Sequence, residues 1–218
     1  MKINEQGRSM IEMLGVLAIV GVLSVGGIAG YSKAMNKFKT NKVIDQINMI
    51  STNIRTLYSS QRNYNGLDNL IAVKTGVVPA EMYDASKVAS ATAATMTLTH
   101  AFGGQLLIKT AATSGDGEGA YVLAIDGVPS SACISIATTD WGGDSGSGLM
   151  GMYINAAASQ KKENAFSALS AAALTAGATN HIAVPGDSSY GLPFTLVNAN
   201  TECNPANGGD AAIAWKFM

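Results

Sequence analysis

The stretch GRSMIEMLGVLAIVGVLSVGGIAGYSKAM, Gly7–Met35, decides how the rest of the chain is interpreted. Between Met10 and Ser32 it carries a single charge, Glu12, and no residue from Met13 to Ser32 is charged. About 20 consecutive apolar residues, folded as a helix, span the hydrocarbon core of a bilayer. The stretch therefore predicts a membrane-spanning helix that has a carboxylate near its start.

Two other interpretations of the apolar run compete with this one. A cleaved secretory signal peptide has a shorter apolar core, and a cleavage site made of small residues follows it. Here the run is long and continues into GYSKAMNKFKTNKV, which has no obvious site of that kind. A buried core helix would need matching apolar bulk elsewhere in the chain. Both interpretations are less favoured than a retained membrane helix.

The helical pattern continues beyond the apolar run. Its apolar residues recur at spacings of three and four, which places them on one face of a helix; this stripe consists of Val43, Ile47, Ile50, Ile54 and Leu57. No proline precedes Pro79, and NYNG at 63–66 is a typical stop signal. We therefore expect one helix from about Met10 to about Gln61, whose second half packs against a globular domain.

Composition and motifs argue against several classes of function. The chain has 218 residues, a net charge of -1 and only 13% charged residues, whereas nucleic-acid-binding proteins usually present a basic face. Neither GxSxG, HExxH nor a P-loop occurs, so we expect no enzyme, no catalytic residue and no cofactor site. The loop DWGGDSGSG, Asp140–Gly148, holds two carboxylates but lacks EF-hand spacing, which favours a surface loop over a metal site.

Glu12 allows two interpretations. Acidic side chains are favoured at helix starts by the exposed N–H groups and the dipole, whereas a carboxylate inside a membrane segment is by default a functional residue. The context favours function, because a short polar leader with Lys2 and Glu5 ends at Gly7, and Glu12 is the fifth residue counted from Arg8. A cut between Gly7 and Arg8 would create an ammonium group that could pair with Glu12 of a neighbouring copy.

Residues 6–32, QGRSMIEMLGVLAIVGVLSVGGIAGYS, resemble the leader and first helix of type IV prepilins. The resemblance implies that a prepilin peptidase cuts after Gly7 and N-methylates the new first residue, Arg8. It also implies that Glu12 takes part in filament assembly. Members of this family usually begin with an apolar residue where this chain has Arg8.

The resemblance extends into the second half of the chain. Three segments are similar to parts of type IVb major pilins, the group of the toxin-coregulated and bundle-forming pili: AFGGQLLIK (101–109), AYVLAIDGVPSSACISIATT (120–139) and ECNPANGGDAAIAWKFM (202–218). It implies an α+β type IV pilin fold, in which a long N-terminal helix packs on an antiparallel sheet. The predicted layout is a leader at 1–7, an apolar segment at 8–32, an amphipathic continuation at 33–61 and a globular head at 62–218.

The chain contains two cysteines, Cys133 and Cys203. In a chain whose head leaves the cytoplasm an even number of cysteines predicts a disulfide, and neither His100 nor His181 lies at metal-ligand spacing from them. A bridge that closes about 70 residues stabilises the fold by about 4 kcal/mol in the chain-entropy model. In type IV pilins such a bridge bounds a variable C-terminal region, which the resemblance places here at 133–203.

Local patterns predict the elements of the head. Short apolar runs predict strands at 104–111, 120–127, 194–199 and 212–217. Helices are predicted after Pro129 at 130–137, with serine caps, and at 161–177, where a glycine ends the pattern. We expect an antiparallel sheet of four to six strands packed on the stripe of the long helix.

The resemblance implies a structural subunit of a type IVb-like pilus. Such a subunit is held in the bacterial inner membrane with a periplasmic head and then polymerises with its own copies into an extracellular filament for adhesion, aggregation or conjugation. Its other implied partners are the prepilin peptidase and the inner-membrane assembly machinery. A minor pilin or a type II secretion pseudopilin is the alternative. The lysines at 33, 37, 39 and 42 alone would favour a cytoplasmic head, but the cysteine pair and the prepilin signature favour the periplasm.

Overall fold

The computed structural model describes residues 10–142, 147–157, 160–204 and 208–218. The chain divides into two units, Met1–Phe38 and Lys39–Met218. Helix α1, Met10–Tyr58, contains residues of both units. The long predicted helix is thus confirmed, with its end at Tyr58 rather than at Gln61.

The second unit continues from α1 with short helices and the strands of a sheet. In chain order the elements are α2 (Asn69–Lys74), 3-10 turns at Ala80–Met82 and Ala85–Lys87, β1 (Leu98–Thr99), β2 (Gln105–Thr113), β3 (Asp116–Val128), α3 (Ser130–Ala137), β4 (Leu149–Ala157), α4 (Lys162–Leu169), β5 (Ile182–Ala183), α5 (Leu196–Glu202) and β6 (Gly208–Phe217).

Six strands, counted within the described ranges, form one antiparallel sheet in the order β1-β2-β3-β6-β4-β5. The last strand, β6, lies between β3 and β4, so the C-terminal segment joins the two halves of the sheet. This arrangement confirms the α+β class and the predicted antiparallel sheet. It also confirms the strands predicted at 104–111, 120–127 and 212–217.

Alternate residues of β3 face opposite sides of the sheet, as a strand period of two requires. Tyr121, Leu123 and Ile125 pack in the same buried cluster as the stripe of α1. The residues between them pack in a second cluster, together with Ala165 and Leu169 of α4. Both faces of the strand are buried, which explains why its sequence is almost continuously apolar rather than alternating.

The stripe of α1 is buried as predicted, except at its last position. Val43, Ile47, Ile50 and Ile54 are at most 1% exposed, but Leu57 is 38% exposed. Tyr58 is buried in its place, with its ring centroid 5.3 Å from that of Tyr64. The larger side chain at the end of the helix reaches an aromatic cluster that Leu57 does not join.

The strand predicted at 194–199 is wrong, because this segment leads into helix α5. Thr195 is the N-cap residue, and its side chain accepts a hydrogen bond from the backbone N–H of Asn198 at 3.2 Å. Leu196 and Val197 are 68% and 75% exposed, so no sheet uses their apolar side chains. The capping threonine therefore outweighs the strand-like composition of FTLVNA.

The helix predicted at 161–177 ends early, at Leu169. The Ser170 carbonyl accepts a hydrogen bond from the backbone N–H of Ala112, and the Ala171 carbonyl accepts one from Lys216 Nζ at 2.5 Å. A longer α4 would have used these carbonyls within the helix. Partners that are distant in sequence therefore decide where this helix stops.

Two further details differ from expectation. The sequence pattern does not predict a strand at Leu149–Ala157, where the structure has β4. Helix α3 starts where predicted, but its N-cap residue is Pro129 and makes no side-chain cap. The expected serine cap is wrong, since Ser130 Oγ instead donates a hydrogen bond to the Cys203 carbonyl.

Candidate assembly segment and disulfide-bounded region

The first part of α1 exposes its apolar side chains on all sides. Every side chain from Met10 to Ala34 is exposed, including Leu17 at 63% and Val25 at 71%. Within the described residues one helix, α1, is long and apolar enough to cross a membrane. A helix that is apolar all round is stable only when protein or lipid covers it. Residues 10–38 are called the assembly segment below.

Glu12 lies in the first turn of α1, where backbone N–H groups have no partner within the helix. Among the described residues, none forms an ion pair with its carboxylate. Gly7 and Arg8, the predicted processing residues, lie outside the described residues. The pairing of Glu12 with the amino group of Arg8 on another copy therefore stays a prediction.

Glycines recur along the assembly segment, at positions 15, 21, 26, 27 and 30. A Cβ atom added at any of them would meet no other atom within 4 Å, apart from its own helix backbone and chain neighbours. Among the described residues, no close approach therefore requires these glycines. A second helix packed at Gly26 and Gly30, which form a GxxxG pattern, would give them a steric role.

The two cysteines form the predicted disulfide. Cys133 of α3 and Cys203, which follows α5, are both fully buried, and their Cα atoms lie 5.8 Å apart. The bridge closes a sequence separation of 70 residues that contains β4, α4, β5 and α5. The hydrogen bond from Ser130 Oγ to the Cys203 carbonyl is a second connection at the same place.

A buried carboxylate next to the bridge was not predicted. Glu202 is 3% exposed, and its two oxygens lie 2.6 Å from His181 Nδ1 and 2.7 Å from the Tyr190 hydroxyl. Burial, followed by the hydrogen bond to Glu202, raises the pKa of Tyr190 to about 12. These contacts fix α5 to the segment before it. The sequence gives no clear signal for them, because the three residues follow no common motif.

A second unpredicted contact involves a buried lysine. Lys216 of β6 is fully buried, and its Nζ donates hydrogen bonds to the carbonyls of Ala112 and Ala171, at 2.7 and 2.5 Å. Burial lowers the pKa of its ammonium group. The lysine thus joins the end of β2 to the segment after α4. A lysine inside a strand pattern normally suggests a solvent-facing position, which is why sequence reasoning missed it.

The described residues offer no metal site built from three or more His, Cys, Asp or Glu side chains. Part of the Asp140–Gly148 loop, residues 143–146, lies outside the described ranges. Asp140 itself accepts a hydrogen bond from the Gly142 backbone N–H at 2.8 Å, as in an ordinary turn.

The fold matches that of a solved type IV pilin. The crystal structure of TcpA, a type IV pilin from Vibrio cholerae El Tor biotype, superposes with a TM-score of 0.52 at 14% sequence identity, over 83% of this chain and 99% of that one. The long helix and the antiparallel sheet therefore belong to a type IV pilin fold.

Sequence comparison gives the family. Residues 37–184 match the family described as PilS N terminal, and the chain belongs to this PilS family. It is also 28% identical, over 138 residues, to proteins named major structural subunit of bundle-forming pilus, from Escherichia coli O127:H6 (strain E2348/69 / EPEC) and from Escherichia coli O111:H-. The match covers 63% of this chain and 66% of the length of each of these relatives.

Proposed function

We propose that this chain is a structural subunit of a type IVb-like pilus. In this proposal the assembly segment anchors the subunit in the bacterial inner membrane, with the second unit in the periplasm. The subunit then leaves the membrane and polymerises with copies of itself into an extracellular filament. The role is structural rather than enzymatic.

One observation supports the proposal above the others. The assembly segment exposes apolar side chains around its whole circumference and carries one carboxylate, Glu12, in its first turn. Lipid can cover such a surface before assembly, and identical helices can cover it afterwards. Because lipid and neighbouring helices are equally apolar, a directional contact is needed to set the register between helices. A charge pair in a low dielectric supplies such a contact.

The processing steps are part of the same proposal. A prepilin peptidase cuts between Gly7 and Arg8 and methylates Arg8, and the resulting ammonium group pairs with Glu12 of an adjacent copy. Assembly machinery in the inner membrane is the remaining partner. A buried disulfide between Cys133 and Cys203 supports a periplasmic and extracellular location for the second unit, since such bridges persist in oxidising compartments.

The names of the relatives favour a major subunit over a minor pilin or a secretion pseudopilin. The test is to shear filaments from the source cell, image them and identify their subunits by mass spectrometry. The proposal expects this chain to be the most abundant component and to begin at Arg8 with a methylated amino group. Filaments that lack the chain, or filaments unchanged after deletion of its gene, would contradict it.

A further inference from the structure

A buried histidine closes the turn between β1 and β2. His100 is 4% exposed, its backbone N–H donates to the Gly104 carbonyl at 3.0 Å, and its carbonyl accepts from the Gly103 N–H at 2.8 Å. Gly103 has a φ of +89°, which a residue with a side chain rarely adopts. The turn is therefore tight, and the imidazole lies inside it.

Both ring nitrogens of His100 have partners with opposite requirements. Nε2 lies 2.7 Å from the Asp126 carbonyl oxygen, which can only accept a hydrogen bond. The backbone N–H of Phe102 donates to Nδ1 at 3.3 Å. The contacts thus require a proton on Nε2 and a free lone pair on Nδ1, which is one tautomer of the neutral ring.

Gly104 packs closely against the ring and its Asp126 partner. A Cβ atom added at Gly104 would overlap the Asp126 carbonyl oxygen and lie 2.5 Å from His100 Nε2. The Asp126 carbonyl belongs to a bulge of β3, where the register to β6 shifts between Ile125 and Val128. The imidazole therefore holds the turn directly against this bulge.

We propose that the turn His100–Gly104 is a pH-responsive element, which opens when His100 binds a second proton. That proton must go to Nδ1, where it meets the N–H of Phe102, so that two donors face each other. The protonated ring loses the Phe102 contact and places a charge in a buried site that has one neutral acceptor. The ring and the turn must separate from the bulge for water to reach the charge.

The charged groups around the turn do not cancel this effect. The Asp126 carboxylate, which accepts hydrogen bonds from the backbone N–H groups of Gln105 at 2.8 Å and Lys162 at 3.3 Å, favours the protonated ring, but burial of the ring outweighs this attraction. Lys39 Nζ lies 5.9 Å from the centre of the Phe102 ring. The adjacent cavity of about 640 Å³ is lined by both signs of charge, from Lys161, Lys162, Glu163, Asp126 and Asp210.

Burial lowers the pKa of His100, and the contacts with Asp126 oppose that effect without reversing it. A histidine with a lowered pKa in the folded state favours folding in its neutral form. The stability that it contributes is complete above its ordinary pKa of about 6.5 and is lost as the pH falls below that value. Opening would displace Phe102 and Gly104, which form one wall of the cavity.

Amide hydrogen exchange of the full chain in detergent micelles tests this proposal. Exchange rates are measured between pH 7.5 and 5.0 and are corrected for the pH dependence of exchange in an unprotected amide. Protection of the Phe102 and Gly103 amides should fall by up to about tenfold per pH unit below pH 6.5, while amides in the centre of β3 stay protected. Equal protection of the turn at both pH values would overturn the proposal.

A matched pair of variants uses the two histidines of the chain. His100→Gln can still donate to the Asp126 carbonyl but cannot take up a proton, so its turn should lose the pH response. His181→Gln should keep the response of the parent. If the response persists in His100→Gln, the proposal is wrong. If His100→Gln does not fold, NMR resonances of the His100 ring in the parent chain provide the test instead. A proton on Nδ1 at neutral pH would contradict the assigned tautomer and overturn the proposal.

Discussion

The assembly segment and the second unit use apolar side chains in opposite ways. In the assembly segment, residues 10–38, large apolar side chains such as Ile19 and Leu23 are 63% and 69% exposed. In the second unit, Ile47 and Ile50 of the same helix are at most 1% exposed. One helix therefore contains a region whose apolar surface finds its partners within the chain and a region whose surface needs partners outside it.

This difference shows how the pattern of apolar residues specifies the kind of partner. A stripe on one side of a helix suits a single sheet, and α1 buries its stripe on such a sheet. An apolar surface on all sides suits an environment that surrounds the helix, such as lipid or a bundle of identical helices. We predict that the charge of Glu12 distinguishes a specific helix partner from lipid.

The largest effect is expected for Glu12→Ala. Without the carboxylate the ammonium group of the adjacent copy has no counterion, and an unpaired charge in an apolar core costs several kcal/mol. Filaments should be absent, while synthesis, cleavage and membrane insertion stay normal. Electron microscopy of sheared material and fractionation of membranes measure the two outcomes. Glu12→Asp, which keeps the charge, should retain some assembly, and normal pili from Glu12→Ala cells would refute this role.

Loss of the disulfide should destabilise the second unit without affecting the assembly segment. Cys133→Ser is expected to lower the free energy of unfolding by about 4 kcal/mol, because the bridge closes a long loop. Urea unfolding of the full chain in detergent, followed by tryptophan fluorescence, measures this change. Cys203→Ser and the double variant should cost the same amount, since all three break one bond. A clearly additive double variant would indicate separate roles for the two residues.

The comparison between the two regions is tested directly by two similar substitutions in one helix. Ile50→Ala removes a fully buried side chain and should destabilise the second unit by about 3 kcal/mol. Ile19→Ala, at a position 63% exposed, should leave unfolding of the unassembled chain unchanged. The same urea experiment serves for both variants. Equal losses would show that the assembly segment also packs within its own chain.

A smaller effect is expected where the sheet contacts α1 through a hydroxyl group. The buried Tyr121 hydroxyl lies 3.2 Å from the Ser51 carbonyl and 3.3 Å from Ser51 Oγ. Tyr121→Phe removes this hydrogen bond but keeps the ring, so the loss should be about 1 kcal/mol. Tyr83→Phe, a half-buried tyrosine outside this contact, provides a control that should change stability less. A Tyr121 variant as stable as the parent would mean that the hydroxyl contributes little.

Local sequence predicted the elements that local forces decide. The stripe of α1 has a strong pattern, and the structure confirms it except at Leu57. The strands β2, β3 and β6 are also confirmed; β3 is buried on both faces, whereas burial along β2 alternates. The wrong predictions of secondary structure occur where contacts between residues distant in sequence determine the outcome. Helix α4 ends because β2 and Lys216 take the carbonyls after it, and Leu196 and Val197 look strand-like although α5 exposes them.

The candidate site likewise has features that the sequence predicts and features that it does not. Two cysteines suffice to predict a bridge, whereas the contacts of Glu202 with His181 and Tyr190 join residues 21 and 12 positions apart and follow no motif. The roles of Gly7, Arg8 and Glu12 concern an enzyme and a neighbouring copy. A single chain cannot display them, so they stay predictions from the sequence.

A cryo-electron microscopy structure of filaments sheared from the source cell tests the central claim most directly. The account predicts a helical polymer of this chain, in which the assembly segments pack against one another at the centre. Each Glu12 carboxylate should lie within about 4 Å of the amino group of Arg8 on an adjacent copy, as in an ion pair. Filaments in which residues 10–38 face solvent, or in which Glu12 contacts no amino group of another copy, would contradict the account.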